Sequence, residues 1–402
     1  MRRSVSVQLG LVTGVVLLAG CGSSSTSVQP LPSMMTAIVV GAVHTCGLVQ
    51  DGSVFCWGNN QYGQVGDGTH ADRDAPVPVA GTVKFAEITA GGGHTCGIST
   101  NGAAYCWGSN GSGQLGDGTR TDRGTPVPVA GGLTFLALSA GGAHTCGIAS
   151  DSTAYCWGYN GDGELGDSTN GGSSVPAAVA GGRKFVAISA GKTAHSCAVT
   201  AAGAAFCWGS NRFGQLGTGD NTSSLAPVAV QGNIAFRTIR AGYSHTCGLT
   251  ADGTAYCWGY NFYGQLGIGD SLLGQDQSLP TAVVGGMQWA ALKTGAYFTC
   301  GLDQGTGAAY CWGYNGSGQL GADAGAVCTD QNGFTSQCAG SPAAVSGGLA
   351  FAVLDASTQH ACAITQGGVA YCWGSDSYGQ LGDGQQGSTV FQNAPVKVLG
   401  QP

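Results

Sequence analysis

The sequence predicts an all-β protein, a seven-bladed β-propeller with four-stranded blades and one disulfide within each blade. A Cys…Cys-Trp-Gly string recurs seven times, with successive first cysteines 50 to 62 residues apart. Repeats of about 50 residues are typical of propellers. The chain has 74 glycines in 402 residues and only 9% charged residues, against about 25% in ordinary domains. This composition favours strands and turns over long helices.

The first element of the chain has the features of an export signal. Two arginines precede an apolar stretch at residues 9–19, which is shorter than the ~20 residues needed to span a bilayer. It ends in Leu18-Ala19-Gly20-Cys21, which resembles the lipobox of bacterial lipoproteins. We therefore expect a signal peptide at 1–20 and a lipidated Cys21 that begins a flexible tether at 21–35. The alternative is an ordinary signal peptide that a cysteine follows by coincidence.

The rest of the chain, residues 36–400, is predicted to form the propeller. In the second repeat, four short strand-like segments lie at 84–90, 94–99, 103–107 and 126–129. Four strands in about 50 residues match the size of one blade.

The two ends of this region suggest how the propeller closes. The region begins with a strand-like segment at 37–40 and ends with one at 395–398. We expect these two strands to be joined, which would complete a ring of 28 strands and cover its exposed edges.

The turn between the second and third strands predicts the disulfides. Asp51-Gly52 is a strong hairpin signal, and a three-residue loop there places Cys46 directly opposite Cys56, close to disulfide distance. The sixth repeat has one extra residue and needs a longer loop or a bulge. The sixteen cysteines beyond residue 40 are expected to pair as Cys46–Cys56, Cys96–Cys106, Cys146–Cys156, Cys197–Cys207, Cys247–Cys257, Cys300–Cys311, Cys328–Cys338 and Cys362–Cys372. Stable disulfides are consistent with export.

The repeat itself resembles a known family. The segment from Ala90-Gly91 through His94-Thr95-Cys96-Gly97 and Tyr105-Cys106-Trp107-Gly108 to Gly113-Gln114-Leu115-Gly116-Asp117-Gly118-Thr119 resembles the regulator of chromosome condensation repeat. The resemblance extends over residues 37–400 and is strongest to exported bacterial members with paired cysteines, in the α-tubulin suppressor-like group. It implies a seven-bladed propeller.

The resemblance also implies two possible functions. One is guanine-nucleotide exchange on a small GTPase, the activity of the eukaryotic namesake. The lipobox argues against exchange activity, because the GTPase and its nucleotide are cytosolic. The other is inhibition of a secreted enzyme, as by a β-lactamase inhibitor of this fold.

The residue pattern gives no sign of enzymatic chemistry. The formal net charge is −7 and no basic run occurs, which argues against a nucleic-acid partner. The Gly-Gln-Leu-Gly-Asp-Gly-Thr loops lack the lysine of a phosphate-binding loop, so we interpret them as turns. We expect no catalytic, cofactor or metal site. Six histidines lie two residues before a first cysteine, Phe298 replaces the seventh, and we assign them a structural role: His44, His94, His144, His195, His245 and His360.

The remaining candidate for function is the surface of the third-to-fourth-strand loops. Four aromatic residues of these loops form the candidate binding surface: Tyr260, Phe262, Tyr263 and Tyr314. The alternative is that they only pack between blades. Blades five and six enlarge the same loop by residues 268–279 and 322–341. We therefore expect a monomeric, non-enzymatic binding or protein-interaction module, anchored in the cell envelope by its lipid alone, with an unidentified protein or glycan partner.

Overall fold

Seven antiparallel sheets form the blades of a β-propeller in the computed structural model, which confirms the predicted fold class. The structure describes residues 30–31, 34–270, 273–323, 326–329, 335–387 and 390–401. The predicted signal peptide and Cys21 lie outside the described residues. Within the described residues, no helix is long and apolar enough to cross a membrane.

The blades are contiguous in sequence. Blades 1 to 5 contain four strands each, blade 6 contains five, and blade 7 contains four. The strands are β1 (Met35–Val40), β2 (His44–Val49), β3 (Val54–Gly58), β4 (Arg73–Pro78), β5 (Phe85–Ala90), β6 (His94–Ser99), β7 (Ala104–Gly108), β8 (Arg123–Pro128), β9 (Phe135–Ala140), β10 (His144–Ala149), β11 (Ala154–Gly158), β12 (Ser173–Ala178), β13 (Ala187–Ala190), β14 (His195–Val199), β15 (Ala205–Gly209), β16 (Ser224–Ala229), β17 (Phe236–Ala241), β18 (His245–Thr250), β19 (Ala255–Gly259), β20 (Gln277–Ala282), β21 (Trp289–Thr294), β22 (Phe298–Asp303), β23 (Ala309–Tyr314), β24 (Ala326–Thr329), β25 (Thr335–Ala344), β26 (Phe351–Ala356), β27 (His360–Thr365), β28 (Ala370–Ser375) and β29 (Phe391–Lys397).

Each blade runs from the axis of the propeller to its periphery. The first strands of all seven blades line a central channel, and the fourth strands form the outer edges, except in blade 6, where β24 pairs outside β25. Proline cannot donate to a neighbouring strand, so it protects an exposed edge from further pairing. One proline recurs in the strand of each blade that pairs with the third strand: Pro76, Pro126, Pro176, Pro227, Pro280, Pro342 and Pro395.

The hairpin register is the one that the sequence predicts. The Val49 N–H donates to the Ser53 carbonyl at 3.0 Å, and Gly52 adopts a left-handed φ of 80°. Cys46 then lies opposite Cys56, with Cα atoms 4.1 Å apart, as expected for a close, non-hydrogen-bonded pair. In blade 6 the extra residue lengthens the loop, which closes with the Asp303 N–H donating to the Ala308 carbonyl.

All eight predicted disulfides are present. Seven join residues that are directly opposite within a blade. The eighth is diagonal, because Cys328 pairs with Ser336 in the β24–β25 ladder whereas Cys338 pairs with Ala326. Its Cα atoms are correspondingly farther apart, at 5.9 Å. This bridge fastens the extra hairpin of blade 6.

The closure of the propeller differs from the prediction. Strand β1 pairs only with β2, and β29 pairs only with β28. The predicted joining of the two end strands is therefore wrong, because each repeat already supplies all four strands of its own blade. The first strand of a blade is innermost and the fourth outermost, so β1 instead packs on β26 and β27 of blade 7. Ile38 and Val40 belong to the same apolar cluster as Ile364.

The core of the protein consists of separate clusters between neighbouring blades. In one of them, the Cys46–Cys56 bridge and Val65 of blade 1 pack with Phe85 and Trp107 of blade 2. The repeated tryptophans are fully buried, so each blade is stabilised mainly by contact with its neighbours.

Candidate functional site

Two connections of every blade emerge at the same rim of the propeller. They are the turn between the first and second strands and the long loop after the third strand. In blade 1 the Asn59 N–H donates to the Val43 carbonyl at 2.8 Å, and this bond recurs in every blade. All the long loops therefore lie on one side of the propeller, which we call the loop rim.

The glycine-rich loops of this rim are folded as turns, as predicted. Asn60 is buried, its Oδ1 accepts the Val65 N–H at 3.0 Å, and its Nδ2 donates to the Thr69 carbonyl at 3.1 Å. The Asp67 carboxylate accepts the Thr69 N–H and pairs with Arg73 at 2.6 Å. The loop amides are thus engaged within the protein, which supports the turn interpretation over phosphate binding.

The repeated histidines connect neighbouring blades. His44 Nε2 lies 2.9 Å from Thr95 Oγ1, and that hydroxyl donates to the Gln64 carbonyl at 2.9 Å. The same carbonyl accepts the Trp107 indole N–H at 3.0 Å. Because the threonine hydrogen is used on the carbonyl, His44 must be the donor through Nε2. Its Nδ1 is then an unprotonated acceptor, and it has no hydrogen-bond partner among the described residues.

The histidine bond recurs around the propeller with one exception. Burial lowers the pKa of His44 to about 3, so the ring is neutral at physiological pH. Between blades 6 and 7 both partners are replaced, by Phe298 and Ala361. The predicted structural role of the histidines is therefore confirmed. The six bonded pairs are His44–Thr95, His94–Thr145, His144–Ser196, His195–Thr246, His245–Thr299 and His360–Thr45.

The four aromatic residues predicted to form a surface do lie together. The ring centroids of Tyr263 and Tyr314 are 4.9 Å apart, as are those of Phe262 and Tyr263. Tyr260 stacks on Phe262 at 6.3 Å and contacts Phe213 of blade 4 at 4.8 Å. All four are half-buried, so they pack across blade boundaries and also present ring area to solvent.

Besides Phe213, two further aromatics belong to this group and were missed from the sequence. Tyr297 contacts Tyr263 at 5.5 Å, and Tyr243, which is 36% exposed, contacts Tyr297 at 5.4 Å. Both lie in the turn between the first and second strands, where blade 2 has glycines. A departure from glycine at that turn is the signal that could have identified them. We define the aromatic patch as Phe213, Tyr243, Tyr260, Phe262, Tyr263, Tyr297 and Tyr314.

The two enlarged loops contact each other beside the aromatic patch. The Asp270 carboxylate of blade 5 accepts the Gly340 N–H of blade 6 at 3.0 Å, and the Gly269 N–H donates to the Gly340 carbonyl at 2.9 Å. The disulfide-bridged hairpin is fastened next to Tyr314, whose strand partner is Cys338. Residues 271–272, 324–325 and 330–334 of these loops lie outside the described residues.

Two buried carboxyl groups on the loop rim occupy places where other blades have amides. Glu164 stands where blade 1 has Gln64; its Oε2 accepts the Asp162 N–H at 3.0 Å, and burial raises its pKa to about 7. Asp376 stands where blade 1 has Asn60, and burial, together with the charge of Asp383, raises its pKa to about 7. In each carboxyl one oxygen keeps the acceptor role of the amide oxygen, and the other, Glu164 Oε1 or Asp376 Oδ2, has no hydrogen-bond partner among the described residues.

Among the described residues, no group of three or more histidine, cysteine or acidic side chains is arranged to hold a metal ion. The ring contacts of the aromatic patch define a surface that the loops of the propeller present.

Comparison with known proteins agrees with the β-propeller fold described above. The RCC1-like domain model matches residues 5–332 and 130–401, and the chain belongs to that family. The match confirms that the repeat of this chain is of the regulator of chromosome condensation type.

Individual relatives are similar over part or all of the chain. Human E3 ubiquitin-protein ligase HERC2 is 28% identical over 213 residues, which are 52% of this chain and 4% of HERC2. The ultraviolet-B receptor UVR8 of Arabidopsis thaliana is 28% identical over 216 residues, 51% of this chain and 44% of the receptor. The chain thus spans less than half of these relatives. Yeast RCC1 (Prp20), solved bound to Kap60, shares the fold with a TM-score of 0.76 and 20% identity, covering 96% of this chain and 91% of that chain.

Proposed function

We propose that the protein is a non-enzymatic interaction module, anchored outside the cytoplasm by a lipid on Cys21, that binds a partner protein through the aromatic patch. The fold is an interaction scaffold in its family. The proposal adds the place of binding, the class of partner and the location of the protein in the cell envelope.

The observation that carries the proposal is the concentration of aromatic residues in one sector of the loop rim. Seven rings from blades 4, 5 and 6 contact one another in a continuous chain. The enlarged loops of blades 5 and 6 flank the same sector. Tyrosines with both buried and exposed ring area are favoured anchors in protein interfaces, because they add contact area at little entropic cost.

The disulfides support a location outside the cytosol. Eight bridges per chain would not persist in the reducing cytosol. The proposed anchor is tested by Cys21→Ser, which should move the mature protein from the detergent phase to the aqueous phase, or leave it unprocessed. Unchanged partitioning into detergent would contradict the lipid anchor.

The binding surface is tested by affinity capture from envelope extract with residues 28–402. A partner captured by the wild type should bind Tyr263→Ala or Phe262→Ala about 30-fold more weakly, a loss of about 2 kcal/mol. The matched control is Tyr159→Ala, because Tyr159 is 48% exposed on the loop rim but belongs to blade 3. Equal weakening by the control would contradict the assignment to the patch. Recovery of a glycan in place of a protein would contradict the class of partner.

A second variant tests the enlarged hairpin. Deleting 327–337 removes Cys328, so Cys338→Ser is combined with it to avoid a free buried thiol. The deletion should abolish binding while the thermal unfolding midpoint stays near that of the wild type, because the part of β25 that pairs with β23 begins at Cys338 and is retained. If the propeller unfolds, the hairpin is a structural brace and the hypothesis that it contributes to binding fails.

A further inference from the structure

The central channel contains a cavity that the proposed function does not use. Its volume is about 300 Å³, and residues from the first strands of all seven blades line it. Three cations and two acids are among them: Lys192, Arg240, Lys293, Glu87 and Asp355. Because the cations exceed the acids by one, the lining carries a net positive charge in a protein whose net charge is −7.

Most blades use one channel position for a structural hydrogen bond. The Thr89 hydroxyl accepts the Ala140 N–H of the next blade at 3.1 Å, and Ser139 and Ser189 do the same one and two blades further on. In blade 7, Asp355 Oδ2 accepts the Val40 N–H at 2.8 Å. Such a bond links the first strands of neighbouring blades around the channel.

Blades 5 and 6 place cations at this position instead. Arg240 and Lys293 follow Ser189 in the series of equivalent residues, and neither side chain has an oxygen that could accept the neighbouring amide. With Arg240 and Lys293 at this position, the stabilising bond to the next blade cannot form. The presence of cations here is therefore not explained by the structural role that the position has in the other blades.

The third cation reaches the channel from a longer turn. Between β13 and β14 the turn of blade 4 has one residue more than the turn between β5 and β6. Lys192 lies in this turn, and its Nζ donates to the Ala90 carbonyl of blade 2 at 3.2 Å. The side chain therefore extends over the channel to reach a blade that is not its neighbour.

The two acids do not neutralise all three cations. Lys293 pairs with Asp355 Oδ1 at 3.0 Å, and the other oxygen of Asp355 is occupied by the Val40 amide. Among the described residues, neither Arg240 nor Lys192 forms an ion pair. The buried Arg240 Nε has no hydrogen-bond partner there, and Nη1 donates only to the carbonyl of Ile239.

Burial disfavours the charged state of these two cations. It lowers the pKa of Lys192 and that of Arg240; the charge of Asp355 partly offsets this in both, and the charge of Glu87 also does so for Arg240. A desolvated cation without a paired anion is unfavourable, and an entering anion would relieve it.

We propose that the channel cavity binds a small organic or inorganic anion with a carboxylate or phosphate group, held by Arg240 and Lys192. Arginine donates to such groups in a planar, two-bond arrangement, and lysine adds a point charge. The ion pair of Lys293 and Asp355 forms one side of the site. The negative charge of Glu87 limits the charge of the anion that the site can bind. This site is independent of the aromatic patch and of any partner bound there.

The test uses the full-length protein purified in detergent, with inorganic phosphate and citrate as probes in titration calorimetry at constant ionic strength. At least one probe should bind saturably with one site per chain. Arg240→Met and Lys192→Met should each weaken binding at least about tenfold. Glu87→Gln should strengthen binding, because it removes a repelling charge.

The matched control is Arg237→Met, since Arg237 lies on the same strand but is exposed. It should leave binding unchanged. The proposal is overturned if neither probe binds saturably, if Arg237→Met weakens binding as much as Arg240→Met, or if Glu87→Gln weakens it. Thermal melts of each variant check that it is folded. If Arg240→Met does not fold, the proposal is tested by Glu87→Gln and by Lys192→Met, which alters only a turn.

Discussion

The interface between blades 5 and 6 and the interface between blades 6 and 7 fill the same position with different chemistry. In the first, His245 Nε2 lies 3.0 Å from Thr299 Oγ1. In the second, Phe298 and Ala361 occupy the equivalent places within one apolar cluster. The tryptophan bond to the preceding loop is retained in both, at 3.1 Å from Trp312 to the Gln265 carbonyl and from Trp373 to the Gln319 carbonyl.

The difference shows that the donor and the acceptor are replaced together. A histidine left without its threonine would bury an unsatisfied N–H, at a cost of about 1–3 kcal/mol. A threonine left opposite phenylalanine would lose the histidine donor. The paired replacement avoids both, which explains why the blade without the histidine precedes the blade without the threonine.

The largest expected effect of this difference is on stability in acid. The six polar interfaces contain histidines whose pKa is lowered by burial from 6.5 to about 3 or 4. Below pH 6.5 the unfolded chain binds more protons than the folded one, so stability is complete above pH 6.5 and falls as the pH decreases. At pH 5.5 the loss should be about 1.4 kcal/mol for each histidine. Chemical denaturation between pH 7.5 and 5 measures it.

The control for this prediction copies the apolar interface. A variant with His245→Phe and Thr299→Ala should lose about one sixth of the pH dependence, because one of six titrating groups is removed. The carboxyls of Glu164 and Asp376 act in the opposite direction, since their raised pKa makes the folded state bind protons more readily below pH 7. Stability that is flat between pH 6.5 and 5 in the wild type would contradict the neutral-histidine assignment.

A smaller effect is expected from converting the apolar interface in one step. Phe298→His should destabilise the protein by about 3 kcal/mol, because it leaves a buried donor without an acceptor and a poorly filled space. Adding Ala361→Thr should restore about 1–2 kcal/mol by supplying the acceptor. A double-mutant cycle by urea denaturation measures the coupling. Additive effects would show that the two positions do not act as a pair.

The smallest effect concerns Glu164, the acidic exception on the loop rim. Its pKa is raised from 4.5 to about 7, so its contribution to stability is present below pH 4.5 and is lost as the pH rises through 7. Glu164→Gln should therefore stabilise the protein at pH 8 by about 1 kcal/mol and have no effect near pH 4.5. Gln114→Glu, the matched change in blade 2, should do the reverse. A gain that is independent of pH would indicate a packing effect instead.

The sequence was sufficient to predict the features that depend on residues of a single repeat. Asp51-Gly52 defined the hairpin and hence the partner of Cys46, because a short loop leaves only one register. It was also sufficient for the aromatics of one loop type, such as Tyr263. It did not reveal Tyr297, which reaches the patch from a different turn, or the contact of Asp270 with Gly340, which depends on how two blades are placed side by side.

The channel cations illustrate the same limit. Lys192, Arg240 and Lys293 are distant in sequence and come from three successive blades, so their convergence follows only from the closed arrangement. The way in which the propeller closes was also mispredicted. The order of strands in the sequence does not show which strand of a blade is innermost. Whether the first and last strands of the chain can pair depends on that position.

The junction of blades 7 and 1 is chemically one more copy of the internal interface. His360 bonds to Thr45, Trp57 donates to the Gln380 carbonyl at 2.9 Å, and the Leu31 N–H reaches the Gly400 carbonyl at 2.7 Å. The contacts between blades 7 and 1 therefore do not mark that junction as the place where the chain begins and ends. A circularly permuted chain, opened between two other blades and connected across residues 31 and 400, would meet the same contacts at every interface. For the same reason, blade 1 cannot make its contacts with blade 7 until blade 7 has been synthesised. The first blade to be made is therefore among the last to be fully enclosed.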